Sequence, residues 1–492
     1  MVTVFAARAR MIPPVVNHAS SRNIPTEQPP SSASASLPFS GRIRIKRRFE
    51  MKQVFLAIII ALMTVGLYGQ EPVVDQGEPK VKLKVVYEKS FDEEILDVIF
   101  DTATVSIEEA KQMGWKEEAF TEEEKAKGKV SISYPRVVFV SRGRRLSWLP
   151  DERRGSYRTK EIEFHDKNAK IINKLILGRK TSQQVFFSPN KKYILVNRLL
   201  SEWGSGYSLG GAVYERIGKK IWEIDELTPM AVSDEGYVIA GHVDWMNGPP
   251  TRGGDFYVYD PQGARIATIV NPDKRRLASL LANFSKDGNY ALLCFSPEEA
   301  QPAVFVLIAK EGKILWKKEI ACIYSRWVGE TDIFPQKGVI GCIYKGGLQL
   351  FYIDWTGNLR WLIPLTASGY ACCRFAQDGK RVYASSSKGY LWCFDLKTGK
   401  VIWRHKEPWS PPVEGKRGVP GAPEFLELYE LGQNIVVNAT YKVLVFDSKT
   451  GKLVAESDYG KDTRIFLSLH NGRIFVIDVK GKRVLGLEVE EG

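Results

Sequence analysis

The side chains best suited to chemistry fall into four short stretches. GHVDWMNGPPTRGGD (241–255) holds His242, Asp244, Trp245 and Arg252. SRGRRLSWLPDERRGSYRTK (141–160) places six Arg, among them Arg144 and Arg145, around Trp148. SEWGSGYSLGG (201–211) offers Trp203 and Tyr207, and HKEPWSPPVEGKRGVPGAP (405–423) brings Trp409 and Arg417. Trp, Tyr and Arg dominate binding hot spots because they bury large surfaces and donate directional hydrogen bonds. That is the chemistry of recognition. A catalyst is harder to assemble from these residues. Only His165, His242, His405 and His470 follow residue 70, in separate stretches, and each reads as a surface or turn residue. No paired carboxylates and no Ser/His/Asp set emerge from spacing, and Walker, CxxC and CxxCH signatures are absent. We therefore expect no catalytic residue and no metal site. All six Cys lie between 294 and 393, an even number that permits disulfides in an exported chain, with Cys322 and Cys342 as one possible pair.

The elements that carry these stretches repeat. A run of β-branched and aromatic residues enters a turn with Asp and Gly, and a second run leaves it: YLWCFDLKTGKVIW (390–403), LFYIDWTGNLRW (350–361), VFVLIAKEGKILW (304–316), AVYERIGKKIW (212–222). Weaker copies are FYVYDPQGARIA (256–267), KVLVFDSKTGKLVA (442–455) and EIEFHDKNAKII (161–172). Gly supplies the positive φ of the hairpin turn, Asp caps it, and alternation buries one face of each strand. In four copies Trp follows the turn Gly by four positions (Gly218/Trp222, Gly312/Trp316, Gly357/Trp361, Gly399/Trp403), which aims one indole the same way each time. A second hairpin precedes most of these, as in FSPNKKYILV (187–196), VSDEGYVIA (232–240), FSKDGNYALL (284–293) and FAQDGKRVYA (375–384).

Each unit is thus four strands, A to D. The turn markers Ala169, Gly218, Gly263, Gly312, Gly357, Gly399 and Gly451 are spaced by 42–52 residues, the size of a β-propeller blade. The last unit, RIFVIDVKGKRVLGLEVEEG, stops where strand D belongs, and KLKVVYEK (81–88) is the strand that would complete it. Joining the two ends removes exposed sheet edges. The expected fold is all-β: an eight-bladed β-propeller over residues 80–492, with seven blades as the alternative. A small helical insertion, about 103–131, interrupts the first blade. Within it SIEEAKQMGWKEEAFTEEEKAKGK (106–129) predicts one helix capped by Ser106 and Glu109 and ended near Gly114, then an acidic helix from about Thr121. It is expected as a solvated decoration, with plugging of the channel or docking of a partner as alternatives.

Strand order also sorts the connections. A–B and C–D turns share one face of such a ring, and B–C and D–A connections share the other. The four stretches that open this section all belong to the second face, where loops on a rigid scaffold concentrate function.

The phrase DLKTGKVIW and its cousins resemble the repeats of pyrroloquinoline-quinone (PQQ)-type propellers, and FSPNKKYILV and FSKDGNYALL are similar to WD40-related and YVTN-type repeats. The resemblance covers most of residues 80–492. It implies two functional readings. Some members are dehydrogenases that hold PQQ and calcium above the channel. Others, such as the propeller subunit of the outer-membrane β-barrel assembly machinery, bind protein partners; this chain lacks the lipoprotein Cys of that example. Members of the first kind set a vicinal disulfide against the quinone, and Cys372-Cys373 are adjacent here. They lie in GYACCRFAQDG, an inner strand, where alternation points them to opposite faces.

The amino-terminal region bears on compartment. Met51-Lys52 opens the uncharged run VFLAIIIALMTVGL (54–67), which has the form of a signal peptide over 51–69 and is short for a membrane span. An uncleaved anchor is the alternative. Residues 1–50, rich in Ser, Pro and Ala, read as a disordered extension, with Met51 as the expected true start. The net charge of +13 is misleading, because residues 1–70 contain nine basic and two acidic residues and leave only +6 for the rest. A nucleic-acid partner is therefore not expected. The sequence thus points to an exported, periplasmic or extracellular, non-catalytic binding or scaffold module for a protein or glycan. It takes no cofactor on this reading. The alternatives are a PQQ/calcium dehydrogenase and a propeller hydrolase or lyase acting on polysaccharide.

Overall fold

The computed structural model describes residues 81–489 apart from 142–156, 159–160, 168–169, 177–180, 201–206, 226, 242–253, 273–276, 298–300, 322–327, 345–346, 366–370, 387–388, 407–424, 440, 461–464 and 479–480. The expected extension (1–50) and signal peptide (51–69) lie outside them. Eight four-stranded antiparallel blades surround a central bore. Their inner strands are Glu94–Ser106, Thr181–Phe187, Thr228–Val232, Leu277–Phe284, Val328–Phe334, Ala371–Phe375, Phe425–Leu431 and Ile465–His470. Blade 8 is completed from the other end of the chain: Val81–Ser90 pairs antiparallel with Arg483–Val489, from Leu83 opposite Val489 to Ser90 opposite Arg483. The same strand begins by pairing in parallel with blade 7, Val81 opposite Ala455 and Lys82 opposite Glu456. Ring closure follows the sequence expectation, and the blade number is eight.

Every blade is too thin to bury its own faces, so the core lies between blades. Eight apolar layers fill the eight junctions. At the closing junction Phe100 of blade 1 stacks on Phe475 of blade 8, ring centres 4.0 Å apart. The repeated Gly-to-Trp offset has a structural cause. Each turn Gly adopts left-handed backbone, φ 85° at Gly357 and 70° at Gly451. Gly263, Gly357, Gly399 and Gly451 are also pressed by the Trp of the preceding blade, while Gly218 meets Phe164 and Gly312 meets Ala267: a Cβ on Gly357 would stand 3.0 Å from Trp316, and one on Gly451 2.5 Å from Trp403. Only glycine meets both demands. Trp361 and Trp403 then donate their indole N–H to Leu396 O and Ser448 O of the next blade, at 2.8 and 3.3 Å.

One position before each of these Trp, or its equivalent, the outer strand slips by a residue. The register shifts at Ile172, Ile221, Ile266, Leu315, Arg360, Ile402 and Val454. A bulge bends the outer strand and spoils the regular hydrogen-bonding edge that would otherwise recruit a second sheet.

The insertion corrects the sequence reading in part. Helix α1 (Ile107–Gln112) and helix α2 (Glu122–Lys127) both start on full capping boxes, at Ser106 with Glu109 and Thr121 with Glu124. Helix α2 buries no residue, as a solvated decoration would. The segment around α1 does the opposite. Ala110, Trp115 and Phe120 are buried in one layer with Tyr87, Phe475 and Val484 of blade 8. Trp115 donates to Ser133 O at 3.2 Å, and the Arg473 guanidinium lies 4.6 Å over its ring. Glu88 N–H donates to Gly114 O and Lys116 N–H to Val86 O. The insertion therefore clasps the closing strand.

Candidate functional site

Strand order places B–C and D–A connections together on one face, as expected. Arg144, Arg145, Trp148, Trp203, His242, Asp244, Trp245, Arg252, Trp409 and Arg417 all lie outside the described residues. Their anchors are described. The 141–160 connection leaves blade 1 at Ser141 and returns at Glu161; on the way Tyr157 and Arg158 pair with Val185 and Gln184 of blade 2. That brings its backbone to the inner edge of the neighbouring blade, at the bore. Tyr207 is the first residue of a strand, paired with Leu200, so it is a strand residue and not a loop one, and only residues 201–206 connect the two strands.

The bore wall holds polar groups that the sequence reading missed. Glu427, on the inner strand of blade 7, accepts hydrogen bonds from Leu467 N–H of blade 8 at 2.7 Å and from Asn438 Nδ2 at 3.1 Å. Asn438 is itself buried and also donates to Ile465 O of blade 8. Enclosure by protein pushes the Glu427 carboxyl up to about 7, with the nearby Asp97 adding to the rise and the two donors opposing it. Lys191, at the turn of blade 2, reaches across to within 3.4 Å of Ser468 of blade 8. Similar joints recur: Asp332 of blade 5 accepts from Phe375 N–H of blade 6 at 2.8 Å, and Asn190 of blade 2 donates to Asp234 of blade 3. Such a carboxylate replaces a water for a backbone N–H that strand pairing leaves open. A Glu within FLELYEL (425–431) was the only available signal, and alternation alone assigns it to solvent.

A cleft of about 710 Å³ opens on the A–B turn face, between the lengthened hairpin of blade 1 and the A–B turns of blades 7 and 8, with Ser131, Asn434, Asn471 and Arg473 on its walls. Arg473 is occupied by Glu488 and by Trp115.

Two expectations about candidate chemistry change. His165 and His405 are buried strand residues, not surface or turn ones; His165 faces Glu163 at 3.2 Å and His405 packs on Phe446. His470 is a strand-end residue bound to Thr102 at 3.1 Å, and His242 lies outside the described residues. Cys372 and Cys373 stand on opposite faces of their strand, one in the layer toward blade 7 and the other in the layer toward blade 5. Both are buried thiols, as is Cys342, while Cys322 lies outside the described residues. Among the described residues no three His, Cys, Asp or Glu side chains are arranged to hold a metal ion, and no helix is long and apolar enough to cross a membrane.

Residues 300–492 match the family described as outer membrane protein assembly factor BamB, under the heading PQQ_2. These repeats are PQQ-like. The ring is similar to several solved propellers. BamB from Moraxella catarrhalis superposes with a TM-score of 0.48 at 12% identity, covering 82% of this chain and 99% of that one. The C-terminal WD40 domain of Sif2 gives 0.49 at 11% identity over 84% and 99%. The computationally designed Ika8 protein gives 0.48 at 12% identity over 82% and 99%. No curated protein matches this chain in sequence.

Proposed function

We propose that this protein is a non-catalytic binding or scaffold module of the cell envelope or exterior, engaging a protein partner, or a glycan, through its long-loop face. The observation that carries the reading is that the B–C connections bearing Trp148, Trp203 and Trp245, two long (142–160 and 242–255) and one short (201–206), leave consecutive blades on one face, the first of them led by Tyr157 and Arg158 to the bore wall of blade 2. A rigid ring that holds Trp- and Arg-bearing loops side by side suits recognition of a large surface. The match of residues 300–492 to an outer membrane assembly factor supports an exported, periplasmic setting. The quinoprotein alternative draws no support from the cysteines, because a vicinal pair split between two buried layers does not fit a lid over a quinone.

The test is alanine substitution of Trp203, Trp245 and Trp409 together, followed by affinity co-purification from the source cells. Loss of a partner retained by the parent protein, at unchanged thermal stability, is the expected result. Retention of every partner would refute the reading. A thermal shift with PQQ and calcium is expected to be absent; an upward shift would reverse the ranking of the two readings.

A further inference from the structure

Glu427, Lys191 and Ser468 belong to blades 7, 2 and 8, yet they meet on the bore wall. Both donors that reach Glu427, Leu467 N–H and Asn438 Nδ2, end on the same oxygen, Oε2. Among the described residues no donor reaches Oε1, which is the oxygen left to carry the proton of the neutral carboxyl. Lys191 comes from the opposite side of the closing junction. Its Nζ stops 3.4 Å from Ser468 Oγ, a long contact to a neutral hydroxyl. Ser468 follows directly on Leu467, whose amide Glu427 holds. Lys191 and Glu427 are both half-buried, so their side chains have room to move.

Other titratable groups face the same space. Blade 1 contributes Asp97, whose Oδ1 accepts from Val98 N–H at 2.7 Å. Asp97 disfavours a second negative charge on Glu427, and Lys191 favours one. Blade 8 contributes His470, which burial holds below its ordinary value; Asp101 opposes that fall, and Arg216 and Lys191 add to it. Asp101 and Arg216 are already paired with each other at 3.0 Å. His470 is therefore neutral where Glu427 changes charge, at about 7. Glu427 is the group that titrates, and Lys191 is the cation beside it.

We propose that Lys191 and Glu427 form a switchable strut across the closing junction: Lys191 rests on Ser468 while Glu427 keeps its proton, and swings onto Glu427 Oε1 once that proton passes to the bore solvent. The change trades a long bond to a neutral hydroxyl for a charge-assisted one, roughly twice as strong. In its first position the strut ties blade 2 to blade 8. In its second it ties blade 2 to blade 7, and so spans both blades that flank the junction closed by Val81–Ser90.

The experiment is hydrogen exchange of the full chain at pH 6.5 and pH 8, corrected for the faster intrinsic exchange at the higher value. In the turn 188–193 the N–H groups of Lys191, Lys192 and Tyr193 all donate to Ser188, so the turn carries protected amides. A turn opens locally, and its protection reports the strut separately from global stability. Protection there is expected to rise about threefold at pH 8 in the parent protein, the scale of a solvent-exposed ion pair. Lys191→Met and Glu427→Gln are each expected to abolish the rise, and Lys191→Arg to keep it. A second readout follows the Glu427 carboxyl carbon by NMR, and its titration midpoint is expected to move to higher pH in Lys191→Met. No rise in the parent protein would overturn the proposal, and so would a rise that survives in Lys191→Met or Glu427→Gln. A midpoint that moves with no change in exchange would make Lys191 a neighbouring charge and no strut. An unmoved midpoint would overturn the pairing itself.

Discussion

Glu427 shows how a single side chain can tie stability to pH. Its carboxyl is raised from an ordinary value of 4.5 to about 7 by enclosure, so the folded protein holds a proton that the unfolded chain releases. The sign follows from linkage. The contribution is complete at acidic pH and is lost as pH climbs through 7. Asp97 and Lys191 face the same space and oppose each other, Asp97 raising the value and Lys191 lowering it. Chemical unfolding at pH 6 and pH 8 is expected to show a loss of about 1 kcal/mol, less than the full shift because part of the titration lies below pH 6 and bore solvent screens the rest. Glu427→Gln should flatten that difference. A parent protein equally stable at both values would contradict the assignment. Gly451 offers a second residue-scale test. Alanine there must adopt φ 70° and push against Trp403, so Gly451→Ala is expected to lower stability by roughly 1–3 kcal/mol, measured by urea unfolding.

At the scale of elements, the clasp formed by the insertion is what holds strand Val81–Ser90 on its outer side. Trp115 is buried against Tyr87 and Phe475, and its removal leaves a cavity beside the closing strand. Trp115→Ala is expected to cost roughly 3–5 kcal/mol. Hydrogen exchange should locate the damage, with faster exchange at residues 83–90 and little change in blades 3 to 6. A uniform acceleration around the ring would mean that the clasp is not local. The sequence made the hairpins legible because Gly, Asp and Trp repeat with fixed offsets, and it made both helix starts legible through their capping boxes. It did not reveal where α1 would pack, since Ala110, Trp115 and Phe120 are apolar residues in a mostly charged stretch with no periodic partner. The bulges at Ile172 and its equivalents were hidden as well, because a slipped residue leaves no mark in composition. The candidate loop face was legible only as a topological consequence. Glu427 and its joint to Leu467 needed the blades to be brought together.

For the molecule as a whole, eight junctions share the core and no blade is redundant. Deleting residues 81–90 strips blade 8 of its outer strand and uncovers Arg483–Val489 as an unbulged edge. Light scattering of that variant is expected to show concentration-dependent association that the parent protein lacks. A truncated chain as monodisperse as the parent would show that the edge is protected in another way.

The pairing of Leu83 with Val489 also sets a clock. About four hundred residues separate the two partners. At ~5–20 residues made per second, strand Val81–Ser90 waits roughly 20–80 s for its partner to leave the ribosome. Throughout that interval the ring is an open arc with two unpaired ends. Only the arrival of Arg483–Val489 turns a string of hairpins into a closed object.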